Sequence, residues 1–102
     1  MEQFEKRLAC VIREDGSIAR GYLIDSCQFD GSNTYTITWK IPLQGEVKTN
    51  FAATIGSATD EAVQPGLITV GLAKDLNQMQ VHTFDPDGKP AARSFHLACF
   101  RD

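Results

Sequence analysis

The stretch TYTITWKI, residues 34–41, decides the fold class of this chain. Its even-numbered positions hold threonine or lysine, and its odd-numbered positions hold large apolar residues. Strict alternation with a period of two, in β-branched and aromatic residues, is typical of a β-strand with one buried face. We therefore expect Tyr35, Ile37 and Trp39 to face a hydrophobic core.

The same period recurs along the chain. It appears in LITVGL (67–72) and QMQVHTF (78–84), and shorter apolar runs lie at 7–14 and 50–56. No window shows a sustained helical stripe with a cap and a stop. The pattern predicts an all-β fold of about seven to nine short strands, a small antiparallel sandwich or jelly-roll-like barrel. The predicted core comprises Tyr35, Ile37, Trp39, Ile68, Val70, Met79, Val81, Phe95 and Leu97.

Turn signals separate these runs. Asp-Gly occurs at 15–16, 30–31 and 87–88, each time between apolar segments, and this dipeptide is a strong hairpin signal. The third occurrence, within Asp-Pro-Asp-Gly at 85–88, also resembles the start of a calcium loop, which needs further oxygen ligands. Lys89 follows instead. We interpret this segment as a type I turn.

The composition describes one domain, residues 1–102, with a net charge of −3. Its ten lysines and arginines are scattered singly, so we expect no nucleic-acid partner. No apolar run approaches the roughly 20 residues that span a bilayer, so we expect no membrane association. The start of the chain is charged, unlike a signal peptide, which favours a cytoplasmic or virion-associated location.

The three cysteines are Cys10, Cys27 and Cys99, and none belongs to a Cys-x-x-Cys pair. A zinc knuckle or a redox motif is therefore not expected. The favoured interpretation is three buried thiols in a reducing compartment. The alternative is one disulfide between Cys10 and Cys99, if the terminal strands are neighbours.

The two histidines are the only candidate metal ligands. If the strands around 78–84 and 94–100 form a hairpin, His82 lies opposite His96, and the two imidazoles could share a metal. A third ligand is missing, so we expect a polar or interface-facing pair, with no metal and no cofactor. No catalytic triad context, phosphate loop or His-Glu-x-x-His motif occurs, which predicts a protein that is not an enzyme.

Several segments together carry a resemblance to a known family. They are DGSIARG, YTITW, FAATIG, GLITVGL and MQVHTFDPDGKPAARSFHLACF. The chain resembles a short β-rich domain found at the C-terminal ends of uncharacterised bacterial and phage proteins, including collagen-like and tail-fibre-like proteins. The match covers nearly the whole chain and is strongest over 81–99.

The resemblance implies a head or tip module, similar in role to trimeric C1q-like heads. Family members often carry one cysteine before the Ala-Thr-Ile-Gly strand and another at the end. This chain keeps Cys99 but has Asn50 and Phe51 where the first cysteine would fall. One of the two cysteines that the resemblance implies for the family's disulfide is therefore absent from this chain.

Two functions follow as hypotheses. The first is a non-enzymatic structural or attachment module, a head, tip or decoration domain of a fibre or virion-like assembly. We expect it to be a homo-oligomer, a trimer before a dimer, with other assembly proteins or a surface glycan as further partners. The alternative is a monomeric sandwich that binds a small ligand or glycan on Trp39, Tyr22 or Tyr35. The candidate binding or interface residues are His82, His96, Arg93 and Tyr22.

Oligomerisation is expected because 42% of the residues are hydrophobic, more than a sandwich this small needs for its core. The large apolar residues left over for other surfaces are Phe4, Phe29, Leu43, Phe51, Val63, Leu67, Leu76 and Phe100.

Overall fold

The computed structural model of the chain describes residues 5–57, 59 and 62–102. These residues form eight β-strands and no helix, so they contain no helix that could span a membrane. The all-β prediction is confirmed. The strands are β1 (Arg7–Ile12), β2 (Ile18–Tyr22), β3 (Ile24–Phe29), β4 (Thr34–Trp39), β5 (Thr49–Ile55), β6 (Leu67–Leu72), β7 (Gln78–Phe84) and β8 (Phe95–Arg101).

The strands form a sandwich of two four-stranded sheets. Sheet A has the order β2-β1-β8-β5, and sheet B has the order β3-β4-β7-β6. Every neighbouring pair is antiparallel. Three pairs of consecutive strands, β1–β2, β3–β4 and β6–β7, are hydrogen-bonded neighbours. The other connections cross from one sheet to the other, and they enclose the core between the two inner faces.

The alternation in TYTITWKI has the predicted structural meaning. Tyr35 and Ile37 are fully buried and Trp39 is 1% exposed, whereas the threonines of β4 lie on the outer face of sheet B. Seven of the nine predicted core residues are buried. The other two, Ile68 and Val70, are half-buried and pack against the core.

The three cysteines are free thiols; Cys10 and Cys99 are buried, as expected, whereas Cys27 is half-buried. β1 and β8 are indeed neighbours, with Cys10 opposite Leu97 and Cys99 opposite Leu8, but the two thiols are not bonded. Burial raises the pKa of Cys27 to about 11 and that of Cys99 to about 12. These thiols stay protonated at neutral pH and act as small core hydrophobes.

The Asp-Gly turns are also confirmed. Gly16, Gly31 and Gly88 have φ values of 90°, 90° and 85°, a region that glycine enters without steric cost. In the third turn the Asp85 carboxylate accepts hydrogen bonds from the backbone N–H groups of Asp87 and Lys89. The aspartate therefore holds its own turn together.

The expected hairpin between residues 78–84 and 94–100 is wrong. After the turn, the returning chain makes a single bridge, between Phe84 and Pro90. The next pair along a ladder would need the Thr83 N–H group, which donates to the Asn33 carbonyl instead. The Thr83 hydroxyl then donates to the Ala91 carbonyl at 2.6 Å, and the chain crosses to the other sheet. β7 therefore pairs with β4 and β6, and β8 pairs with β1 and β5.

One tyrosine ties the two sheets at the end of the sandwich where this crossing occurs. The Tyr35 hydroxyl donates to the Glu14 carbonyl at 2.7 Å and accepts from the Arg93 N–H at 3.2 Å. Its ring stacks on Phe29 and meets Phe95 edge-on, with centroids 4.5 and 5.0 Å away. Burial raises the pKa of Tyr35 to about 12, so the hydroxyl keeps its proton.

The apolar residues expected to be left over divide into three groups. Leu43 is fully buried, so that expectation is wrong for it, and Phe29 and Phe51 are half-buried against the core. Four others remain between 40% and 53% exposed, as expected. They are Val63, Leu67, Leu76 and Phe100. Phe4 lies outside the described residues.

We expect Trp39→Ala to lower the free energy of unfolding by about 3–5 kcal/mol, because it leaves a large cavity in the core. Thr36→Ala, on the outer face of the same strand, should change it by less than about 0.5 kcal/mol. Urea denaturation of both variants measures the difference. Equal losses in the two variants would contradict the assignment of the two faces of β4.

We expect Tyr35→Phe to cost about 1–3 kcal/mol, although it removes a single oxygen atom. It leaves the Glu14 carbonyl and the Arg93 N–H without their partner. Urea denaturation measures this cost. Tyr22→Phe removes a hydroxyl at an exposed position and serves as the matched control. A loss of unfolding free energy no larger than that of the control would show that the two hydrogen bonds of the Tyr35 hydroxyl do not stabilise the fold.

Candidate functional site

The structure places two of the four candidate residues together. Tyr22 and His96 line one groove on the outer face of sheet A. His82 lies on the outer face of sheet B, on the opposite side of the molecule. Arg93 lies in the segment that crosses between the sheets.

The expected pairing of His82 with His96 is therefore wrong. His82 stands opposite Thr34 on one side and Thr69 on the other. His96 stands opposite Val11 and Thr54. The core separates the two rings, so they cannot share a metal ion. Among residues 5–57, 59 and 62–102, no three His, Cys, Asp or Glu side chains gather into a possible metal site.

The outer face of sheet B around His82 is a neutral, hydrogen-bonded surface. The His82 Nδ1 atom lies 3.0 Å from the Thr34 hydroxyl, and the Gln78 amide donates to the Thr38 hydroxyl at 3.1 Å. Cross-strand pairs of this kind stabilise the sheet. Their polar groups already bond to one another, which makes this face the weaker candidate for a binding site.

Arg93 holds a loop in place. Its Nε atom donates to the Pro65 carbonyl at 2.9 Å, and its Nη1 atom donates to the Ala92 carbonyl at 2.8 Å. A Cβ atom on Gly66 would overlap the backbone carbonyl oxygen of Phe84, so a glycine is needed where the two segments meet. The geometry gives Arg93 a structural role.

The groove on sheet A is built from small side chains in register. Ala9, Ala98 and Ala52 lie side by side across β1, β8 and β5 and form its floor. Tyr22 stands beside Ala9 on the edge strand β2. Because side chains alternate between the two faces of a strand, these residues all point away from the core. The alanine row leaves a trough between larger neighbours.

Larger side chains flank the trough in the adjacent rows. Arg20, Val11, His96 and Thr54 form the row on one side, and Phe100, which is 49% exposed, belongs to the row on the other. We call the surface formed by the alanine floor, Tyr22 and the row that contains His96 the alanine groove. It has a volume of about 590 Å³. An apolar floor with a few polar groups at the edges suits binding rather than bond-breaking chemistry.

His96 is fixed by a glycine at the end of β5. Its Nε2 atom lies 3.0 Å from the Ser57 carbonyl, which can only accept, so Nε2 carries the proton. The ring lies against Gly56, where a Cβ atom would come within 2.9 Å of Cδ2. In this tautomer the Nδ1 atom can accept a hydrogen bond from a ligand.

Tyr22 is held at its hydroxyl end by Glu5. The hydroxyl donates to Glu5 Oε2 at 3.1 Å, while Glu5 Oε1 accepts from the Lys6 and Arg7 N–H groups. The backbone bond from Arg7, and then the bond from Tyr22, lower the pKa of this carboxyl. Glu5 therefore stays ionised through neutral pH and orients the ring, which is 51% exposed.

Sequence reasoning missed the floor of the groove. Ala9, Ala52 and Ala98 occupy outward positions on three strands, and alanine attracts attention only once those strands are known to be adjacent. The sequence did contain a signal. Ala52 in the run 50–56 and Ala98 in the run 94–100 lie at outward positions, where an exposed strand face usually carries polar or larger side chains.

Comparison of the chain with protein families, curated proteins and solved structures finds no match. The resemblance to head or tip domains stays a prediction.

We expect Gly56→Ala to displace the His96 ring, because the new methyl group would overlap Cδ2. Gly71→Ala is the matched control, since a Cβ atom there meets no other atom within 4 Å. The Gly56 variant should be less stable than the control by about 1–2 kcal/mol. It should also lose the slowly exchanging Nε2–H signal of His96 in nitrogen-15 NMR spectra. An unchanged signal would contradict the geometry.

Proposed function

We propose that this protein is a non-enzymatic structural or attachment module that assembles with copies of itself. The observation that carries the proposal is where the exposed apolar side chains lie. Leu67, Leu72 and Leu76 belong to β6 and the turn after it, and Tyr22 and Phe100 belong to the outer face of sheet A. Leu67 and Leu72 lie at the two ends of one edge strand, and apolar residues exposed along a sheet edge favour contact with another chain.

The proposed role is a head, tip or decoration domain within a fibre or virion-like assembly. The compact sandwich supports this role, because it leaves two kinds of surface free. The β6 side can serve self-assembly, and the alanine groove can serve attachment to another assembly protein. Of the binding or interface residues predicted from the sequence, the proposal uses Tyr22 and His96, which both line the groove. For His82 and Arg93, which already bond to Thr34 and Pro65, a binding role stays a prediction.

The test is the molar mass in solution, from light scattering coupled to size exclusion at micromolar concentration. We expect a mass of two or three times the chain mass of 11.2 kDa. The trimer expected from the sequence and a dimer separate clearly in this measurement. A single species at the chain mass, unchanged up to millimolar concentration, would contradict self-assembly.

The alanine groove favours a second candidate function, the binding of a small ligand or glycan. Its volume of about 590 Å³ lies within the roughly 300–1,000 Å³ of typical ligand sites. Of the three aromatic platforms expected from the sequence, Trp39 and Tyr35 are buried in the core, which leaves Tyr22. Its ring can stack on the apolar face of a sugar, while Arg20 and His96 offer polar contacts.

A glycan-array screen followed by NMR titration tests this candidate. Tyr22→Phe keeps the ring and should retain binding, whereas Tyr22→Ala removes it and should weaken binding about tenfold or more, as expected for an aromatic platform. Equal affinity in the two variants, or signal changes on sheet B instead of the groove, would contradict the assignment.

A further inference from the structure

The four edge strands of the sandwich differ in how they are protected. β2 carries Arg20 and its pairing with β1 is interrupted by a bulge, and β3 carries Asp25 and a similar bulge. Charged residues and bulges are the usual devices that stop a sheet edge from pairing with another chain. β5 and β6 carry no charged residue, and each keeps an unbroken register with its partner.

β6 is the more open of these two edges. Leu67 is 52% exposed and Leu72 is 47% exposed, whereas none of the exposed large apolar residues lies on β5. The described part of the connection before β6 does not cover it. Residues 57, 59 and 62–64 line a groove with residues 11–15 instead, against the β1–β2 turn.

The backbone groups of β6 that face outward can be assigned. The Ala73 N–H donates to the Gln78 carbonyl, so Ala73 points its backbone toward β7. In an antiparallel pair this direction alternates along the strand. Ile68, Val70 and Leu72 therefore point their N–H and C=O groups away from β7. None of these groups bonds to the backbone of another residue in the described part of the chain.

We propose that β6 pairs antiparallel with β6 of a second copy of this chain, about a two-fold axis at Val70. This inference rests on the proposed self-assembly and names the surface responsible; it specifies a dimer in place of the trimer expected from the sequence. In this register Val70 faces its own copy, and Ile68 faces Leu72. The outward backbone groups of all three residues then form about six new hydrogen bonds across the axis.

The side chains of β6 suit this register. The pair of Ile68 and Leu72 covers the exposed leucine with an apolar partner. Thr69 meets Gly71 on the outer face, where the missing side chain of Gly71 leaves open space. Because β6 is uncharged, pairing with its own copy brings no like charges together. The same operation on β2, whose central residue is Arg20, would place arginine opposite arginine.

The first experiment removes one outward N–H group. Val70→Pro blocks the central hydrogen bonds of the proposed pair but removes no bond to β7, because the Val70 N–H faces outward. Val70→Ala also shortens the side chain but keeps the N–H group. Light scattering should give the chain mass of 11.2 kDa for the proline variant and the wild-type mass for the alanine variant. Circular dichroism and thermal melting check that both are folded.

The second experiment tests the register with two solvent-facing positions. The double variant Thr69→Lys with Gly71→Lys places lysine opposite lysine across the axis, and we expect it to be monomeric. The matched variant Thr69→Lys with Gly71→Glu places lysine opposite glutamate, and we expect it to remain associated. Both variants leave the core untouched, so they decide the question even if Val70→Pro fails to fold.

The outcomes separate the inference from the proposed function. Folded Val70→Pro that keeps the wild-type mass would overturn pairing through β6 and leave self-assembly standing through another surface. Two double variants with the same mass would overturn the Val70-centred register. A wild-type protein that is monomeric at all concentrations would overturn both the inference and the self-assembly on which it rests.

Discussion

The Tyr35 hydroxyl is the interaction on which the rest of this sandwich depends. It is a single buried oxygen that bonds to the β1–β2 turn through Glu14 and to the crossing segment through Arg93. Its ring lies between Phe29 of sheet B and Phe95 of sheet A. Without the hydroxyl, the Glu14 carbonyl and the Arg93 N–H would lose this part-buried partner. The same residue therefore packs the core and fixes how the two sheets are joined.

The two outer faces have opposite chemistry, although both belong to regular antiparallel sheets. On sheet B, threonine, glutamine and histidine side chains bond across the strands, as in the contact between His82 and Thr34. On sheet A, an alanine row leaves a trough beside Tyr22 and His96. A surface whose polar groups are satisfied gains little from a partner, whereas apolar surface gains by leaving water. Interaction therefore favours sheet A and the β6 side.

The sequence predicts the strand faces and the turns, because these depend on residues that are adjacent in the chain. Alternation in TYTITWKI gave the buried face of β4, and the Asp-Gly pairs gave the turns. The pairing of distant strands could not be predicted, because the same turn chemistry closes a hairpin at 13–17 and leads into a crossing at 85–89. At the crossing the Thr83 N–H donates to the Asn33 carbonyl, and the returning chain makes one bridge, between Phe84 and Pro90. The misplaced His82–His96 pair followed from that error. The alanine groove joins three strands far apart in sequence, and only the strand order reveals it.

The position of β8 has a consequence for how the protein folds. All four strands of sheet B precede β8 in the chain, so that sheet can form without it. Sheet A cannot, because β8 is the only strand that joins β1 to β5. During synthesis, the edges of β1 and β5 that pair with β8 stay unpaired until β8 leaves the ribosome. Closure of the sandwich is then a late step that joins distant segments, which is slow and leaves the nascent chain open to aggregation.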